Sequence, residues 1–570
     1  MLEGCSEQSF YSVTVTPTET SVVLPDSYLT NLPDSVKVED GWCTIRVEGP
    51  LDFSLIGILS KLATTLANVD VSIFVVSTFD TDYLLVKIKN LEAAKKALSE
   101  AGHDVFNLDQ VDSPPDAAAK TAAAATATTA AITTTSAADA DVAGFAPFAL
   151  ERYFARHEFS APYLLSCSDI QPLSQAELLE MADDECAALW SNLSLGYTES
   201  QGLPLLRQEV TNLYNATPTS EKGVQGNLSI DNVLVVAPEE GIYLACRALL
   251  SKGDTIIAPA PCYQSLAEVA RAIGCTIVWW SPVENDDGYL SFHVDDLIKM
   301  IRSHQPKMCV LNFPHNPTGL MITNEEKMRI ASVCHEGSSK CWLLSDEMYH
   351  GMEHDLSKRS SLSMLNITPF DDVDAPAAPA APAAAPAASA APAENEEKPI
   401  LLDNLVVLSG MSKLYGLAGL RIGWMVTRDV NLMNKMKHLR DYTTICNSAP
   451  SEILSLIGLR NHERLTKRSN EIIVNGLNAV TMFMSEFNDV FVWQPPTVGS
   501  ISFPKLKGGI SATKFADEIV RRVGVMLLPS SVYDCKEDDR LRLGFGRTNV
   551  EECLQVLKVV VRDVVEWCRE

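Results

Sequence analysis

Leu405-Val406-Val407-Leu408-Ser409-Gly410-Met411-Ser412-Lys413-Leu414-Tyr415-Gly416-Leu417-Ala418-Gly419-Leu420-Arg421-Ile422-Gly423-Trp424 is the stretch that decides the fold. It opens on an apolar run, Leu405–Leu408, that reads as a buried strand, and a small-residue turn then carries Lys413 just past the strand end. Two earlier stretches have the same form. Met308–Leu311 runs into Asn312-Phe313-Pro314-His315-Asn316-Pro317-Thr318-Gly319, and Cys341–Leu344 runs into Ser345-Asp346-Glu347-Met348-Tyr349. Helix and strand signals alternate from 147 to 570, which predicts an α/β fold with a mostly parallel sheet. Such sheets place ligands beyond the C-terminal ends of their strands. A lysine, an aspartate, a tyrosine and an asparagine presented there suit an aldehyde cofactor with a pyridine ring. Lys413 can form a Schiff base, and Asp346 can keep the ring nitrogen protonated and so deepen the electron sink.

Taken together and in this order, HNPTG (315–319), SDEMY (345–349) and SGMSKLYGLAGLRIGW (409–424) resemble the fold-type I, pyridoxal 5′-phosphate-dependent aminotransferases of classes I and II. The likeness covers nearly all of 147–570. It implies a mostly parallel large-domain sheet, a smaller α/β domain, a homodimer, and amino acid and 2-oxo acid substrates. By matching position, Lys413 would be the Schiff-base lysine and Asp346 the partner of the pyridine nitrogen. Asn316 and Tyr349 would hydrogen-bond the ring oxygen, with Tyr349 counted beside Lys413 and Asp346 as catalytic. Ser412 and Arg421 would hold the phosphate, and Tyr263 would stack on the ring. Tyr197, in a segment continuing through Gly202 and Arg207, would reach the neighbouring subunit's phosphate site. Arg542 would grip the substrate α-carboxylate, with Asn316 nearby; Arg540 and Arg547 compete for that role, and strand alternation favours Arg542.

Two positions depart from the family's pattern. The first phosphate loop reads Ala237-Pro238-Glu239-Glu240-Gly241, without the usual hydroxyl, so Glu239 and Glu240 could serve only through N–H groups at a helix start. Gly410 stands where many relatives carry a hydroxyl. Two other activities stay open: a lyase or cyclising enzyme of the same fold acting on an arginine-type amino acid, and a non-catalytic amino-acid sensor. The APEEGI and GYTESQG segments resemble those of capreomycidine-synthase relatives and keep the cyclising reading open. The intact Lys413 speaks against the sensor.

Residues 1–111 read differently. Cys43–Glu48 is strand-like, Gly49-Pro50-Leu51-Asp52 is a turn, and Leu55, Leu59, Leu62, Leu66 and Val69 recur at helical spacing. Val71–Ser77 and Tyr83–Lys87 flank an acidic turn, and a second helix spans Leu91–Ala101. Strand, helix, strand, strand, helix, strand is the ferredoxin-like order. The stretch from Gly49 to Lys87 resembles an ACT domain, which implies binding of a regulatory amino acid. The expected pocket lies between Gly49–Phe53 and Asp80–Asp82, where helix N–H groups suit a carboxylate and the aspartates suit an ammonium group.

Residues 112–146 collapse to Ala and Thr and read as a linker. Asp371–Lys398, with its repeated prolines, reads as a surface-loop insertion within 147–570. With 46 Lys and Arg against 73 Asp and Glu, the 570-residue chain carries a net charge of −27, which repels nucleic-acid backbones and anionic membranes. No apolar run suits a membrane span, and the scattered cysteines suit a reducing, cytoplasmic setting. His350-Gly351-Met352-Glu353-His354 matches a zinc-protease string, but Gly351 beyond a strand argues against the helix that chemistry needs, so no metal is expected.

Overall fold

Seven strands, six of them mostly buried and the edge strand Thr276–Trp280 largely open, form the central sheet of the larger unit, and their register sets where its cleft lies. The computed structural model describes residues 12–15, 20–23, 38–46, 58–77, 82–101, 144–216, 228–336, 340–354, 361–368 and 402–569. The chain divides into two units, Met1–Thr133 and Thr134–Glu570.

The sheet order is Val233–Val236, Gly423–Val426, Leu405–Gly410, Trp342–Asp346, Met308–Asn312, Thr255–Pro259, Thr276–Trp280. Every pair is parallel except those made by Gly423–Val426, which runs antiparallel to both neighbours. This is the mostly parallel sheet that the apolar runs predict. Val233–Val236 and Met308–Asn312 are buried along their whole length, as strands covered on both faces must be. Asn312 pairs with Asp346, Asp346 with Leu408, Gly410 with Gly423, and Gly423 with Val236. The chemistry-bearing turns therefore leave the sheet along one edge, beside the start of helix Pro238–Leu249. Gly410 closes its strand: a Cβ there would lie 2.8 Å from the Gly423 Cα. The close approach of these two backbones leaves no room for a hydroxyl-bearing side chain.

The smaller α/β domain is built on a three-stranded antiparallel sheet, Ile501–Ser502, Leu541–Gly544 and Leu528–Pro529. Helices Ala512–Val523 and Val550–Lys558 belong to it, and the long helix His462–Glu486 leads into it. Tyr163–Leu164 pairs in parallel with Val525–Met526, so the first strand of this unit docks on the last part of the chain. Residues 144–147, partly assigned to the linker by composition, are tied to helix Ser265–Ile273 and its approach. Arg271 donates to the Gly144 carbonyl, Ala146 N to Glu268, and Gln264 to the Pro147 carbonyl.

In the first unit, Trp42–Arg46 and Ile73–Ser77 both pair antiparallel with Asp82–Lys87, which lies between them. Helices Ile58–Ala67 and Leu91–Glu100 complete the ferredoxin-like order as far as it is described. Leu62, Leu66, Val71, Leu84, Val86, Ala94 and Leu98 form the core. Val69 departs from the expected stripe. The helix ends at Ala67, Asp70 takes a left-handed turn, and Val71 fills the core while Val69 is exposed. A hairpin, Ser12–Val15 with Thr20–Val23, precedes these elements and has no counterpart among the strand signals. Gly49–Phe53, Asp80, most of the linker and the whole of 371–398 lie outside the described residues.

The strand bearing Arg542 ends in a backbone contact that only glycine permits. Gly544 N donates to the Leu165 carbonyl at 2.9 Å, and a Cβ on Gly544 would lie 1.8 Å from the Cys167 carbonyl oxygen. Gly544→Ala is expected to lower stability by about 1–3 kcal/mol through overpacking. The check is the denaturant midpoint, and an unchanged midpoint would mean the two backbones are not in contact.

Candidate active site

The sheet edge opens into a cleft of about 530 Å³. Asn312, Asn316, Asp346, Tyr349, Ser412 and Lys413 enter it from the central strands and their turns. Glu239 and Tyr263 enter beside them, Arg542 from the smaller domain, and Phe154 from helix Ala149–His157. Residues spread from Phe154 to Arg542 thus converge on one space.

Asp346 is the last residue of its strand and is 5% exposed. One carboxylate oxygen accepts from Asn312 Nδ2 at 3.0 Å and the other from Met348 N at 3.1 Å. Burial pushes its pKa up to about 7; Glu239 adds to that, while the Met348 N–H and Lys413 oppose it. A carboxylate this buried is stabilised by a cation that water cannot supply. Lys413 Nζ donates to Ser168 Oγ at 2.8 Å and lies 5.7 Å from the centre of the Tyr349 ring. The Ser168 carbonyl in turn accepts from Ser500 Oγ at 2.8 Å. The Tyr349 hydroxyl is buried with no hydrogen-bond partner, a condition that calls for an occupant of the cleft.

Arg542, 2% exposed, donates through Nε and Nη2 to the Ser166 carbonyl at 3.2 and 2.8 Å. Its Nη1 donates to the Tyr533 hydroxyl at 2.6 Å and to Asn316 Oδ1 at 3.3 Å. Tyr533 donates to the same Asn316 oxygen at 3.3 Å. The two competing arginines are committed elsewhere. Arg540 pairs with Glu284 and donates to the Gly288 carbonyl, and Arg547 pairs with Asp169. Arg542 reaches the cleft from strand Leu541–Gly544; alternation puts Arg540, two residues back, on the same face, and it is its pairing with Glu284 outside the strand, not alternation, that takes it away.

Tyr263 lines the cleft with its ring 5.3 Å from that of Phe148. Ser412 is buried, and Arg421 reaches the cleft from an exposed backbone at φ +55°. A non-glycine residue in that conformation costs roughly 1–2 kcal/mol, a strain found where function fixes the geometry. Glu239 faces the cleft, and burial raises its carboxyl above the ordinary range, an effect offset in part by the Tyr263 and Ser265 hydroxyls. Glu240 does not line the cleft. Its Oε1 accepts from the Thr443 and Thr444 hydroxyls at 2.5 and 2.7 Å, drawn that way by the buried Arg440 nearby. Only the backbone of Glu240, in the first turn of helix Pro238–Leu249, remains available at this end. Tyr197 also lies outside this cleft, 92% exposed. Residues 350–354 form a turn and a bridge from Glu353 to Val498 rather than a helix. Ser168, Asn312 and Tyr533 escape the sequence reading as site residues. Asn312 alone had a signal, since it ends a strand beside Asp346; Ser168 and Tyr533 meet the site only through the tertiary fold.

Residues 173–560 match the family of class I and II aminotransferases, and residues 37–100 match the ACT domain. Capreomycidine synthase of Streptomyces vinaceus is 26% identical over 318 residues, 54% of this chain and 68% of its own. Aspartate aminotransferase of Pyrococcus horikoshii is 23% identical over 369 residues, 63% of this chain and 81% of its own. The crystal structure of a pyridoxal-phosphate-dependent aminotransferase from Streptococcus suis shares the fold. It has a TM-score of 0.59 and 21% identity, over 74% of this chain and 98% of that one. With the cleft built at the strand ends and the family match running through both domains of the larger unit, this chain belongs to the class I and II aminotransferases, pyridoxal 5′-phosphate enzymes, here carrying an N-terminal ACT domain.

Proposed function

We propose that Lys413, Asp346 and Tyr349 are the catalytic residues of an amino-group exchange between an amino acid and a 2-oxo acid. The buried carboxyl of Asp346, in one cleft with the Lys413 amine, carries this reading. The residues fit pyridoxal 5′-phosphate. Asp346 is a buried acid that needs a cation, the Tyr349 hydroxyl is an orphan, and Ser412, Arg421 and the first-turn N–H groups of Glu239 and Glu240 suit a phosphate. Bound there, the cofactor supplies an aldehyde and a pyridine ring that accepts the electron pair released at the substrate Cα.

The remaining roles belong to the chain. Asp346 holds a proton on the pyridine nitrogen, and Asn312 with the Met348 N–H keeps its carboxylate aimed. Asn316 and Tyr349 orient the ring oxygen, and Tyr263 packs against the ring. Lys413 Nζ, held by Ser168, takes up the proton from the substrate Cα and returns one. Arg542 binds the α-carboxylate, braced by Tyr533 and Ser166. Tyr197, exposed like Leu195 and Tyr442, suits a contact with a second copy in a homodimer. The ACT domain at 37–100 suits a free amino acid that tunes the enzyme.

Lys413→Ala is expected to abolish turnover, with a rate loss of at least roughly 10²–10⁴ from the missing proton transfer alone; stopped-flow absorbance and product assays check it. In a single turnover, one equivalent of 2-oxo acid and conversion of the cofactor to its amine form are expected by mass spectrometry. A cofactor that stays an aldehyde would favour the cyclising or eliminating chemistry that the capreomycidine-synthase likeness suggests.

Asp346→Asn gives a pH test. Burial raises the folded-state pKa to about 7 from an ordinary carboxyl value of about 3.9. The cost of ionising the buried acid therefore grows as pH rises from about 4 to about 7 and then levels off. In cofactor-free protein, thermal unfolding should show wild type losing stability relative to Asp346→Asn across that window. A difference independent of pH would remove the buried charge from the account.

For the ACT domain, calorimetry with the twenty amino acids is expected to give one tight ligand that shifts full-length kinetics. Identical kinetics without residues 1–111 would leave only a structural role.

A further inference from the structure

Tyr533 ends the short helix Ser530–Tyr533 and is buried behind the cleft, outside its lining. Its hydroxyl sits between two residues that do line the cleft. Arg542 Nη1 donates to that hydroxyl at 2.6 Å, and the hydroxyl donates to Asn316 Oδ1 at 3.3 Å. Arg542 Nη1 also reaches Asn316 Oδ1 directly, at 3.3 Å. A guanidinium has only donors, so the Asn316 atom that faces it must be the amide oxygen. The Asn316 backbone N–H is held by Asn312 Oδ1 at 3.1 Å. With backbone and oxygen both fixed, the amide NH2 is the end left for the cleft, where it suits the ring oxygen of the cofactor.

A carboxylate on Arg542 disturbs this arrangement. Arginine has five N–H groups. Nε and one N–H of Nη2 point at the Ser166 carbonyl, and the two of Nη1 serve Tyr533 and Asn316. One N–H on Nη2 stays uncommitted. A carboxylate that takes a second N–H therefore draws it from Nη1, and the longer contact, to Asn316, is the one to give way. Asn316 Oδ1 then keeps a donor only through Tyr533. Without that hydroxyl the buried oxygen would be left unpaired, or the amide would turn over and set its oxygen against the ring oxygen, acceptor against acceptor.

We propose that Tyr533 is a positioning residue of the amino-group exchange, whose hydroxyl holds the Asn316 amide with its NH2 toward the cofactor while the substrate α-carboxylate occupies Arg542. The inference rests on the cofactor reading above and adds a residue that touches neither cofactor nor substrate. Tyr533→Phe removes only the hydroxyl and keeps the ring, which packs edge-on against Phe503 with centres 6.2 Å apart. Bracing Arg542 and holding Asn316 are separable effects. The first persists when the Asn316 amide is removed, and the second cannot.

The test uses the full-length protein loaded with pyridoxal 5′-phosphate, as wild type, Tyr533→Phe, Asn316→Ala and the double variant. Cα-methylalanine is titrated, since it carries an α-carboxylate and an amino group but no Cα proton to lose. Binding is read by calorimetry and by the cofactor's visible absorption. Tyr533→Phe is expected to weaken the analogue about tenfold when Asn316 is present, the effect of leaving one buried acceptor unpaired. In the Asn316→Ala background the same substitution is expected to change its affinity by less than about twofold. Cofactor affinity of Tyr533→Phe without the analogue should stay within about twofold of wild type, because Arg542 alone holds Asn316 there. An equal loss in both backgrounds would assign Tyr533 to Arg542 alone and overturn the proposal. So would an unchanged analogue affinity, or a loss of cofactor binding in the absence of the analogue. A wild-type protein that shows no bound-cofactor absorption would instead overturn the reading of the cleft itself, and this inference with it.

Discussion

A carboxyl group buried at the end of a central strand is the constraint on which the rest of the catalytic unit depends. Asp346 gives up solvation at that position, and two hydrogen bonds, from Asn312 and from the Met348 N–H, offset only part of the cost. Its ionised form needs a cation inside the cleft. The parallel register that sets Asn312 beside Asp346 and Asp346 beside Leu408 fixes both the partner that aims the carboxylate and the strand that delivers Lys413. A sheet slipped by one residue would turn Asp346 to the opposite face and separate these groups.

The same reasoning explains the three arginines between 540 and 547. Their chemistry is identical, and only backbone geometry sorts them. Arg540 is consumed by Glu284 and backbone carbonyls, Arg547 by Asp169, and Arg542 alone lines the cleft. Even Arg542 has much of its hydrogen-bonding capacity spent on Ser166 and Tyr533, which hold it in place. An anchor held this way loses little side-chain freedom when it meets a carboxylate. Gly544 and Gly410 serve the same end by letting backbones approach where a side chain would push the strands apart.

The departure at the first phosphate loop has a structural consequence as well. Pro238 starts the helix and brings no N–H, so the anion-binding capacity of this helix start falls to the groups that follow it. Glu239 stays in the cleft with a carboxyl that burial makes harder to ionise, and Glu240 is drawn off toward Thr443, Thr444 and Arg440. Two adjacent residues of one type thus take opposite fates, because successive helix positions lie about 100° apart and only one of them faces the cleft.

By itself the sequence determined the α/β class, the mostly parallel sheet, the ACT-like order of the first unit, and the turns bearing Asn316, Asp346, Tyr349 and Lys413. Those features are local. A buried parallel strand must be a continuous apolar run, and the turn after it must carry whatever chemistry the fold presents. The tertiary structure alone decided that Ser168 would hold Lys413, that Tyr533 would brace Arg542, and that Glu240 would leave the cleft. Ser168 and Lys413 are 245 positions apart and Tyr533 and Arg542 nine, across a strand pair, while Glu240 is a choice between neighbours of equal chemistry. Such choices are set by register and by the packing of one domain on another, which no local pattern of residues encodes.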